Sequence, residues 1–525
     1  MTPQIDAKTL KAWLGDGREI ALIDVSEHGQ YGSGHPFFAV SLPYSRFELG
    51  LPALVPNQAA RLVLCDEGDG VAARAAARAR SLGYRDLHIL SGGKADWRRA
   101  GFSLYAGVNV PSKTFGELVA HARATPQISP QRLRAMQDAG ENFVIVDGRP
   151  FAEYRKMSIP GGICCPNGEL VLRIRDIAPD PKTKIVVNCA GRTRSIIGAQ
   201  TLREFGIPNP VLALENGTQG WFLAGLELAH DAHRRHGQGP ADTAELAARA
   251  RQFALARGVA YVAPATALAW LTDAARTTYL LDVRTAEEHA AQAVPGFAHA
   301  PGGQLIQATD QWVAVKGARL VLADAEMVRA SVVAGWLRQL GHDACVLDGG
   351  ITAAATLTWP HPIAPLALPD LPPITAPELA QALDSAAVQV LDLRPAMAFR
   401  QGHIAQARWS IRPSIAAALD RGTRTIVLIA DEADIAALAA LDIGEAGGTN
   451  IRRLAGEPAA WREAGLRIVA TPDQPADTDC IDFLFFVHTR HAGDAQAARQ
   501  YLAWETGLLD QLDAQERGAF RLAAL

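Results

Sequence analysis

The stretch Asn188-Cys189-Ala190-Gly191-Arg192-Thr193-Arg194-Ser195 decides the fold of this chain. It follows the apolar, β-branched residues 185–187 and precedes residues 196–199, whose composition is compatible with a helix. A β-branched run, a short polar loop and a helical segment predict a strand, a loop and a helix N-terminus. The sequence therefore predicts a lone cysteine, Cys189, at a point where backbone N–H groups converge.

The surroundings of Cys189 indicate a reactive thiol. A helix N-terminus carries partial positive charge and unpaired N–H donors, and both favour an anion in the loop. Arg192 and Arg194 add two permanent charges beside it. Most intracellular cysteines are small buried hydrophobic residues, but a cysteine in an electropositive setting is expected to react as the thiolate. We therefore expect Cys189 to be a nucleophile.

Motifs on both sides of this loop complete a larger pattern. They are Asp147-Gly148-Arg149, Glu153-Tyr154, Ile159-Pro160-Gly161-Gly162 and Asn216-Gly217-Thr218-Gln219-Gly220-Trp221. Together with the loop, they resemble a rhodanese domain. The resemblance implies a sulfurtransferase, in which the cysteine takes a sulfane sulfur from thiosulfate or a similar donor. It would carry this sulfur as a persulfide and pass it to a thiol, cyanide or a redox protein.

The resemblance also implies roles for particular residues. Cys189 and Arg194 would be catalytic, with Arg194 pairing with the departing sulfite. The substrate-binding loop would comprise Ala190, Gly191, Arg192, Thr193 and Ser195. The family usually has a glycine where this chain has Arg192, whereas Arg194 and Ser195 match the family pattern. Supporting roles are expected for three residues: Asp147 and Arg149 would position the loop, and Arg173 would supply a further anion contact.

A repeat extends this pattern over most of the chain. An apolar run that ends in aspartate occurs four times, at Asp24, Asp147, Asp282 and Asp392. A second apolar run follows each aspartate. Spacing predicts that the positions matching Cys189 are Asp66 and Asp324, 42 residues after their aspartates, and Asp431, 39 residues after its own.

The repeat predicts an α/β fold of four tandem rhodanese-like units. Short Val/Ile/Leu runs alternate with Ala-rich helical stretches, which is typical of a mainly parallel sheet with helices on both faces. Ligands bind such sheets at the carboxyl ends of strands. The predicted units and tail are residues 5–105, 127–228, 262–360 and 374–470, followed by a strand and helix tail at 471–525.

Only the second unit is expected to be active. A carboxylate cannot form a persulfide, and its charge opposes an anionic substrate in the same loop. The units that carry Asp66, Asp324 and Asp431 are therefore predicted to be catalytically inactive. They would serve as scaffold, or would bind a cationic group or a partner protein.

Composition narrows the class of protein. The 525 residues carry a formal net charge of −4 and no basic block, so we expect no nucleic-acid partner. The apolar residues 483–487 are too few to span a bilayer, and the first ten residues do not read as a secretion signal, so we expect a cytoplasmic protein without a membrane partner. The six cysteines are scattered and show no metal-ligand spacing, so no disulfide framework, metal or cofactor is predicted.

Two other functions fit the same loop. In a persulfide carrier or scaffold, Cys189 would receive sulfur from a partner enzyme and show little activity with free thiosulfate. A cysteine-dependent phosphatase or arsenate reductase also places a thiolate among N–H groups beside an arginine. Those phosphatases use Cys-x5-Arg, whereas Cys189 and Arg194 make Cys-x4-Arg. The shorter loop favours a sulfur atom over a phosphate group.

Overall fold

A computed structural model describes residues 2–360, 366–384, 388–420, 422, 425–488 and 493–523. It confirms the predicted α/β class, with several mainly parallel sheets flanked by helices. The elements follow from local sequence. The central strands are Val/Ile/Leu runs that are almost wholly buried, as expected for a sheet covered on both faces. Several helices begin at a side-chain cap, such as Thr285, whose hydroxyl accepts from the backbone N–H of Glu288.

The first unit is followed by a connecting helix, α6. Its elements are β1 (Gln4–Ile5), α1 (Ala7–Trp13), β2 (Ile20–Asp24), α2 (His28–Ser33), β3 (Val40–Ser41), α3 (Phe47–Leu54), β4 (Arg61–Cys65), α4 (Val71–Ser81), β5 (Leu87–Leu90), α5 (Gly93–Arg99) and then α6 (Val110–Arg123).

The second unit contains Cys189 and is followed by the connecting helix α12. Its elements are β6 (Gln127–Ile128), α7 (Pro130–Asp138), β7 (Phe143–Asp147), α8 (Phe151–Lys156), β8 (Ile163–Cys164), α9 (Leu170–Ile177), β9 (Lys184–Asn188), α10 (Thr193–Glu204), β10 (Val211–Leu214), α11 (Gly217–Leu223) and then α12 (Ala244–Leu255).

The third unit repeats this order with one extra short strand, β14. Its elements are β11 (Ala260–Val262), α13 (Pro264–Trp270), β12 (Thr278–Asp282), α14 (Ala286–Ala291), β13 (Ala298–His299), α15 (Gly302–Gln307), β14 (Val315–Lys316), β15 (Arg319–Ala323), α16 (Arg329–Leu340), β16 (Asp343–Leu347) and α17 (Gly350–Ala354).

The fourth unit and the tail complete the chain. Their elements are β17 (Pro373–Ile374), α18 (Ala376–Leu383), β18 (Val388–Asp392), α19 (Ala396–Gln401), β19 (His403–Ile404), β20 (Ala407–Trp409), α20 (Ile415–Ala418), β21 (Thr425–Ile429), α21 (Ala433–Glu445), β22 (Ile451–Leu454), α22 (Pro458–Glu463), β23 (Ile468–Val469), and in the tail α23 (Phe485–His488), α24 (Ala495–Thr506), α25 (Leu508–Gln511) and α26 (Ala514–Arg517).

The four main sheets share one strand order. In the second unit it is β6-β10-β9-β7-β8, and the third unit repeats it as β11-β16-β15-β12-β13. Within each unit these neighbouring strands run parallel. The strand that precedes the Cys189 loop, β9, therefore lies between two others in the middle of its sheet.

The units are interlocked. Strand β14 of the third unit pairs antiparallel with β2 of the first, with Val315 opposite Ala21. Arg329 of the third unit donates to Glu169 of the second at 3.0 Å. The Arg412 guanidinium of the fourth unit binds the carboxylate of Glu48 in the first at 2.6 and 2.8 Å. These contacts hold the four units together as one packed assembly.

The tail differs from its prediction as a strand and helix. The apolar residues 483–487 do not form a strand, and Phe485–His488 is instead a single helical turn. Such a short run fits either structure by pattern alone, and here Leu484 and Val487 are buried, with Leu484 beside Gly32 of α2. Farther along, Leu508 is buried beside Tyr105 and Val110, so the tail returns to the first unit and to α6.

No helix in the described part of the chain is long and apolar enough to cross a membrane. The same residues contain no group of three or more histidine, cysteine, aspartate or glutamate side chains that could hold a metal ion.

Candidate active site at Cys189

The Cys189 loop joins a central strand to a long helix. Strand β9 ends at Asn188 and α10 begins at Thr193, as the sequence predicts. Cys189 is the first residue after the strand and is 2% exposed. Its Sγ lies 3.5 Å from the Ser195 hydroxyl oxygen, and that hydroxyl donates to the carbonyl oxygen of Arg192 at 2.8 Å. Ser195 therefore connects the thiol to the first turn of α10.

The start of helix α11 is hydrogen-bonded to the Cys189 loop. The backbone N–H groups of Thr218 and Gln219 donate to the carbonyl oxygens of Cys189 and Ala190, at 2.8 and 3.1 Å. Gly217 has a φ of +55°, and a Cβ on it would lie 2.2 Å from the Cys189 carbonyl oxygen. This close approach explains why only glycine fits there.

Arg194 lines the site, but its charge is already paired. Its guanidinium donates twice to the Glu153 carboxylate, at 2.8 Å each, and once to the Gln304 side-chain oxygen at 3.0 Å. Burial opposes the charged form, yet the neighbouring Glu153 carboxylate holds the pKa of Arg194 above its ordinary value. Arg194 is thus a fixed, permanently charged group beside Cys189.

Arg192 has a different environment from the predicted one. Its guanidinium binds the Glu117 carboxylate of α6 at 2.6 and 2.8 Å and the Asn216 side-chain oxygen at 3.2 Å. It is not among the residues that line the cavity above Cys189. Arg192 therefore attaches the loop to the connecting helix α6, because its guanidinium donates to Glu117 of that helix.

The predicted supporting residues separate into two groups. Asp147 and Arg149 form a buried pair, with N···O distances of 2.8 and 2.7 Å, and Asn188 donates to the same Asp147 carboxylate. Arg149 also lines the cavity. Arg173 does not: its guanidinium pairs with Glu169 at 3.1 Å, at the contact with the third unit. The expected anion contact of Arg173 is therefore not present at Cys189.

The cavity above Cys189 has a volume of about 330 Å³ and is built by four parts of the chain. The second unit supplies Cys189, Arg194 and their neighbours. The rest of the wall comes from the segment around α6, from the third unit and from the tail: Val108, Asn109, Lys113, Gln304, Gln307, Ala308, Gln311, Val487 and Tyr501. Sequence reasoning missed these residues, because none carries a local motif and each lies far from Cys189 along the chain.

A buried carboxylate of the tail is attached to the loop. Glu505 of α24 is fully buried and accepts from the Thr193 hydroxyl at 2.7 Å and from the Lys113 ammonium at 3.2 Å. Its other carboxylate oxygen would lie 2.9 Å from a Cβ on Gly191. The sequence predicts a helix in this tail but no contact with the Cys189 loop. The structure places it directly against the Cys189 loop.

Three loops elsewhere in the chain correspond to the Cys189 loop. The backbone carbonyl oxygens of Asp66, Cys189 and Asp324 accept from the same position of each unit's last helix. The Asp66 carboxylate accepts N–H bonds from Gly68, Gly70 and Ala72 at 2.9–3.1 Å. Asp324 likewise accepts from the backbone N–H of its loop's Arg329 at 3.0 Å. The aspartate thus occupies three backbone donors in the Asp66 loop and one in the Asp324 loop that an anionic ligand could otherwise bind.

The fourth unit corrects one prediction. Strand register pairs Asp147 with Asn188, the residue before Cys189, and pairs Asp392 with Ile429. The residue in the Cys189 position is therefore Ala430, not Asp431. The prediction was displaced by one residue because the segment between the two strands is shorter in this unit. Asp431 is exposed.

The remaining cysteines have inert surroundings. Burial raises the pKa of Cys164 and of Cys345 to about 12, and it raises that of Cys65, Cys165 and Cys480 above the ordinary value. These thiols stay protonated at neutral pH and are poor nucleophiles. A larger cavity of about 780 Å³ between the first and third units is lined by neither cysteine nor histidine. The candidate site is therefore the cavity at Cys189.

Comparison with known proteins agrees with this repeat. The rhodanese-like domain family matches residues 6–100, 129–224, 264–356 and 375–464. The chain is similar to the crystal structure of thiosulfate sulfurtransferase from Pseudomonas aeruginosa, with 41% identity, a TM-score of 0.90 and coverage of 99% of this chain and 100% of that one. It is also 29% identical over 101 residues to the Bacillus subtilis protein YrkF, a proposed sulfur carrier. That match covers 19% of this chain and 53% of YrkF.

Proposed function

Because the chain belongs to the rhodanese-like domain family, we propose that it is a sulfurtransferase in which Cys189 of the second unit carries the sulfur. One observation carries the proposal. Cys189 lies at a central strand end and lines a cavity, whereas the corresponding residues of the other units are Asp66, Asp324 and Ala430. The similarity over the whole chain to a thiosulfate sulfurtransferase supports thiosulfate as the donor.

The first half-reaction loads the cysteine. The Cys189 thiolate attacks the outer, sulfane sulfur of thiosulfate, and a new S–S bond forms as the bond to the sulfonate sulfur breaks. The electron pair of the broken bond leaves with sulfite, so the charge of −3 is the same before and after the step. Arg194, fixed by Glu153 and Gln304, stabilises the departing oxyanion from the cavity wall.

The second half-reaction unloads it. Cyanide or a thiolate attacks the outer sulfur of the Cys189 persulfide, and the Cys189 thiolate leaves with the electron pair of the S–S bond. With cyanide the product is thiocyanate. The positive end of α10 stabilises the anion at Cys189 in both half-reactions.

The remaining loop residues position the cysteine. Thr193 attaches the start of α10 to the tail through Glu505, and Arg192 attaches the loop to α6 through Glu117. Asp147 and Arg149 hold the neighbouring strand end, where Asn188 binds Asp147. Ala190 and Gly191 line the cavity without side chains that would fill it.

A persulfide carrier is the second candidate, favoured by the local similarity to YrkF. A carrier must present its persulfide to another protein. The 2% exposure of Cys189 and the walls contributed by the third unit and the tail favour small donors and acceptors instead.

Thiocyanate formation from thiosulfate and cyanide tests the proposal. We expect turnover by the wild type and none by Cys189→Ser. The matched control is Cys345→Ser, which alters a buried thiol of the third unit and should keep turnover. Equal turnover by Cys189→Ser and the wild type would refute the assignment. A wild type that forms a persulfide but releases no thiocyanate would favour the carrier.

A further inference from the structure

The cations that line the Cys189 cavity are mostly neutralised by the protein itself. Arg194 pairs with Glu153, Arg149 with Asp147, and Lys113 with Glu505. Paired charges still stabilise a transition state, but they attract a free anion weakly because each already has its counter-ion nearby. Recognition of the donor must therefore rest in part on other groups.

Lys156 is the remaining cation. It is the last residue of α8, lines the cavity, and forms no ion pair within the described residues. Of the four lysines and arginines that line the cavity, three have carboxylate partners. Lys156 therefore supplies the one positive charge that is not balanced. Lys156 is exposed and lines the cavity, so its ammonium charge is available to an incoming anion.

Gln307 is the second group, and it belongs to the third unit. It lies at the end of α15, lines the cavity and is 6% exposed. Its side-chain oxygen is buried and has no hydrogen-bond partner among the residues that the structure describes. An oxyanion offers only acceptors, so the end of the amide that would bind it is the nitrogen. The N–H donors of Gln307 have no hydrogen-bond partner among the described residues and are not among the buried atoms, so they are available to a ligand in the cavity.

We propose that Lys156 and Gln307 bind the oxyanion end of the sulfur donor at the Cys189 site. The ligand class is a small sulfur oxyanion of the thiosulfate type, held by the ammonium charge and by an amide N–H. The inference rests on the proposed function and adds a contribution from a second unit. An inactive repeat would supply a binding residue to the active one, which explains why α15 is packed against the second unit.

Single-turnover kinetics test the proposal. Persulfide formation on the full-length protein is followed at increasing thiosulfate concentration, which separates the apparent dissociation constant from the limiting rate constant. We expect Gln307→Met and Lys156→Met each to raise the dissociation constant about tenfold, with the limiting rate constant within about twofold of the wild type. Lys156→Arg should restore most of the binding. The control is Gln252→Met, an exposed glutamine of α12 outside the cavity.

Two results would overturn the proposal. One is an unchanged dissociation constant in both methionine variants. The other is a fall in the limiting rate constant with no change in binding, since that would indicate a structural effect on Cys189. Because Lys156 is exposed, its variants keep the test valid if Gln307→Met folds poorly.

A binding measurement separates this proposal from the proposed function. Sulfite titrated calorimetrically into Cys189→Ser needs no chemistry. We expect about tenfold weaker binding when Gln307→Met is added to that variant. If the wild type forms no persulfide yet sulfite binding depends on Gln307, the anion subsite stands and the sulfurtransferase assignment fails. If the wild type forms a persulfide and the affinity for sulfite is unchanged by substitution of Gln307 or Lys156, these residues do not form an anion subsite.

Discussion

Replacing Glu505 with alanine should release the tail from the Cys189 loop. The change removes the acceptor of the Thr193 hydroxyl at 2.7 Å and the carboxylate facing the Lys113 ammonium at 3.2 Å. Both partners are largely buried, since the Lys113 side chain is 10% exposed and the Glu505 side chain is fully buried. Breaking a buried ion pair costs about 3–5 kcal/mol. We expect the lower end, about 3 kcal/mol, because Lys113 keeps its contact with the Tyr501 ring.

Hydrogen exchange measured by mass spectrometry tests this expectation. A loss of about 3 kcal/mol in the free energy of opening corresponds to roughly a hundredfold faster exchange of the α24 amides. Sulfur transfer should fall in parallel, because Thr193 and Gly191 lose a neighbour that fixes the loop. The matched control is Asp510→Ala, which removes an exposed carboxylate of the same tail. Unchanged α24 exchange in Glu505→Ala would refute the idea that this carboxylate attaches the tail.

Three further predictions concern the loops and the first unit. Gly217→Ala should reduce sulfur transfer at least tenfold, because the added Cβ would clash with the Cys189 carbonyl oxygen. The control is Gly225→Ala, which has a similar φ of +75° but no atom near the added Cβ and should keep its activity. Equal activities of the two variants would refute the steric explanation. Asp66→Ala should lower the free energy of unfolding of the first unit by about 2 kcal/mol in urea unfolding, because three backbone N–H groups lose their acceptor. In an activity assay of the same protein, turnover per folded molecule should be unchanged. Burial lowers the pKa of His35 to about 4, so the unfolded chain binds a proton near pH 6.5 while the folded chain does not. The contribution of His35 to the free energy of unfolding is therefore fully present above pH 6.5 and is lost as the pH falls toward 4. Between pH 7 and pH 5 the free energy of unfolding should fall by about 2 kcal/mol for this reason. His35→Asn should abolish that part of the pH dependence, as measured by urea unfolding.

The sequence predicted the parts of the fold that repeat. The four aspartates that end β2, β7, β12 and β18 lie in equivalent strands, and the 42-residue spacing places Asp66 and Asp324 correctly because those three units share loop lengths. The same spacing argument fails at Ala430, where the loop is shorter. Periodicity also could not distinguish a strand from a helical turn at residues 485–488, because so short an apolar run fits both.

Only the part of the candidate site that lies on one contiguous loop was predictable from the sequence. Cys189, Arg194 and Ser195 are brought together by one loop, so their proximity follows from strand, loop and helix order. The partners that decide the electrostatics come from distant segments. Glu117 binds Arg192 from a connecting helix, and Gln304 reaches Arg194 from the next unit. Such contacts depend on how the units pack, which no local pattern encodes.

Intact-protein mass after mixing with thiosulfate and desalting shows whether Cys189 carries the sulfur. We expect a gain of one sulfur atom on the wild type, no gain on Cys189→Ser, and loss of the added sulfur when cyanide is supplied. A wild type with no added sulfur, or a Cys189→Ser variant that gains it equally, would show that Cys189 is not the sulfur-carrying residue.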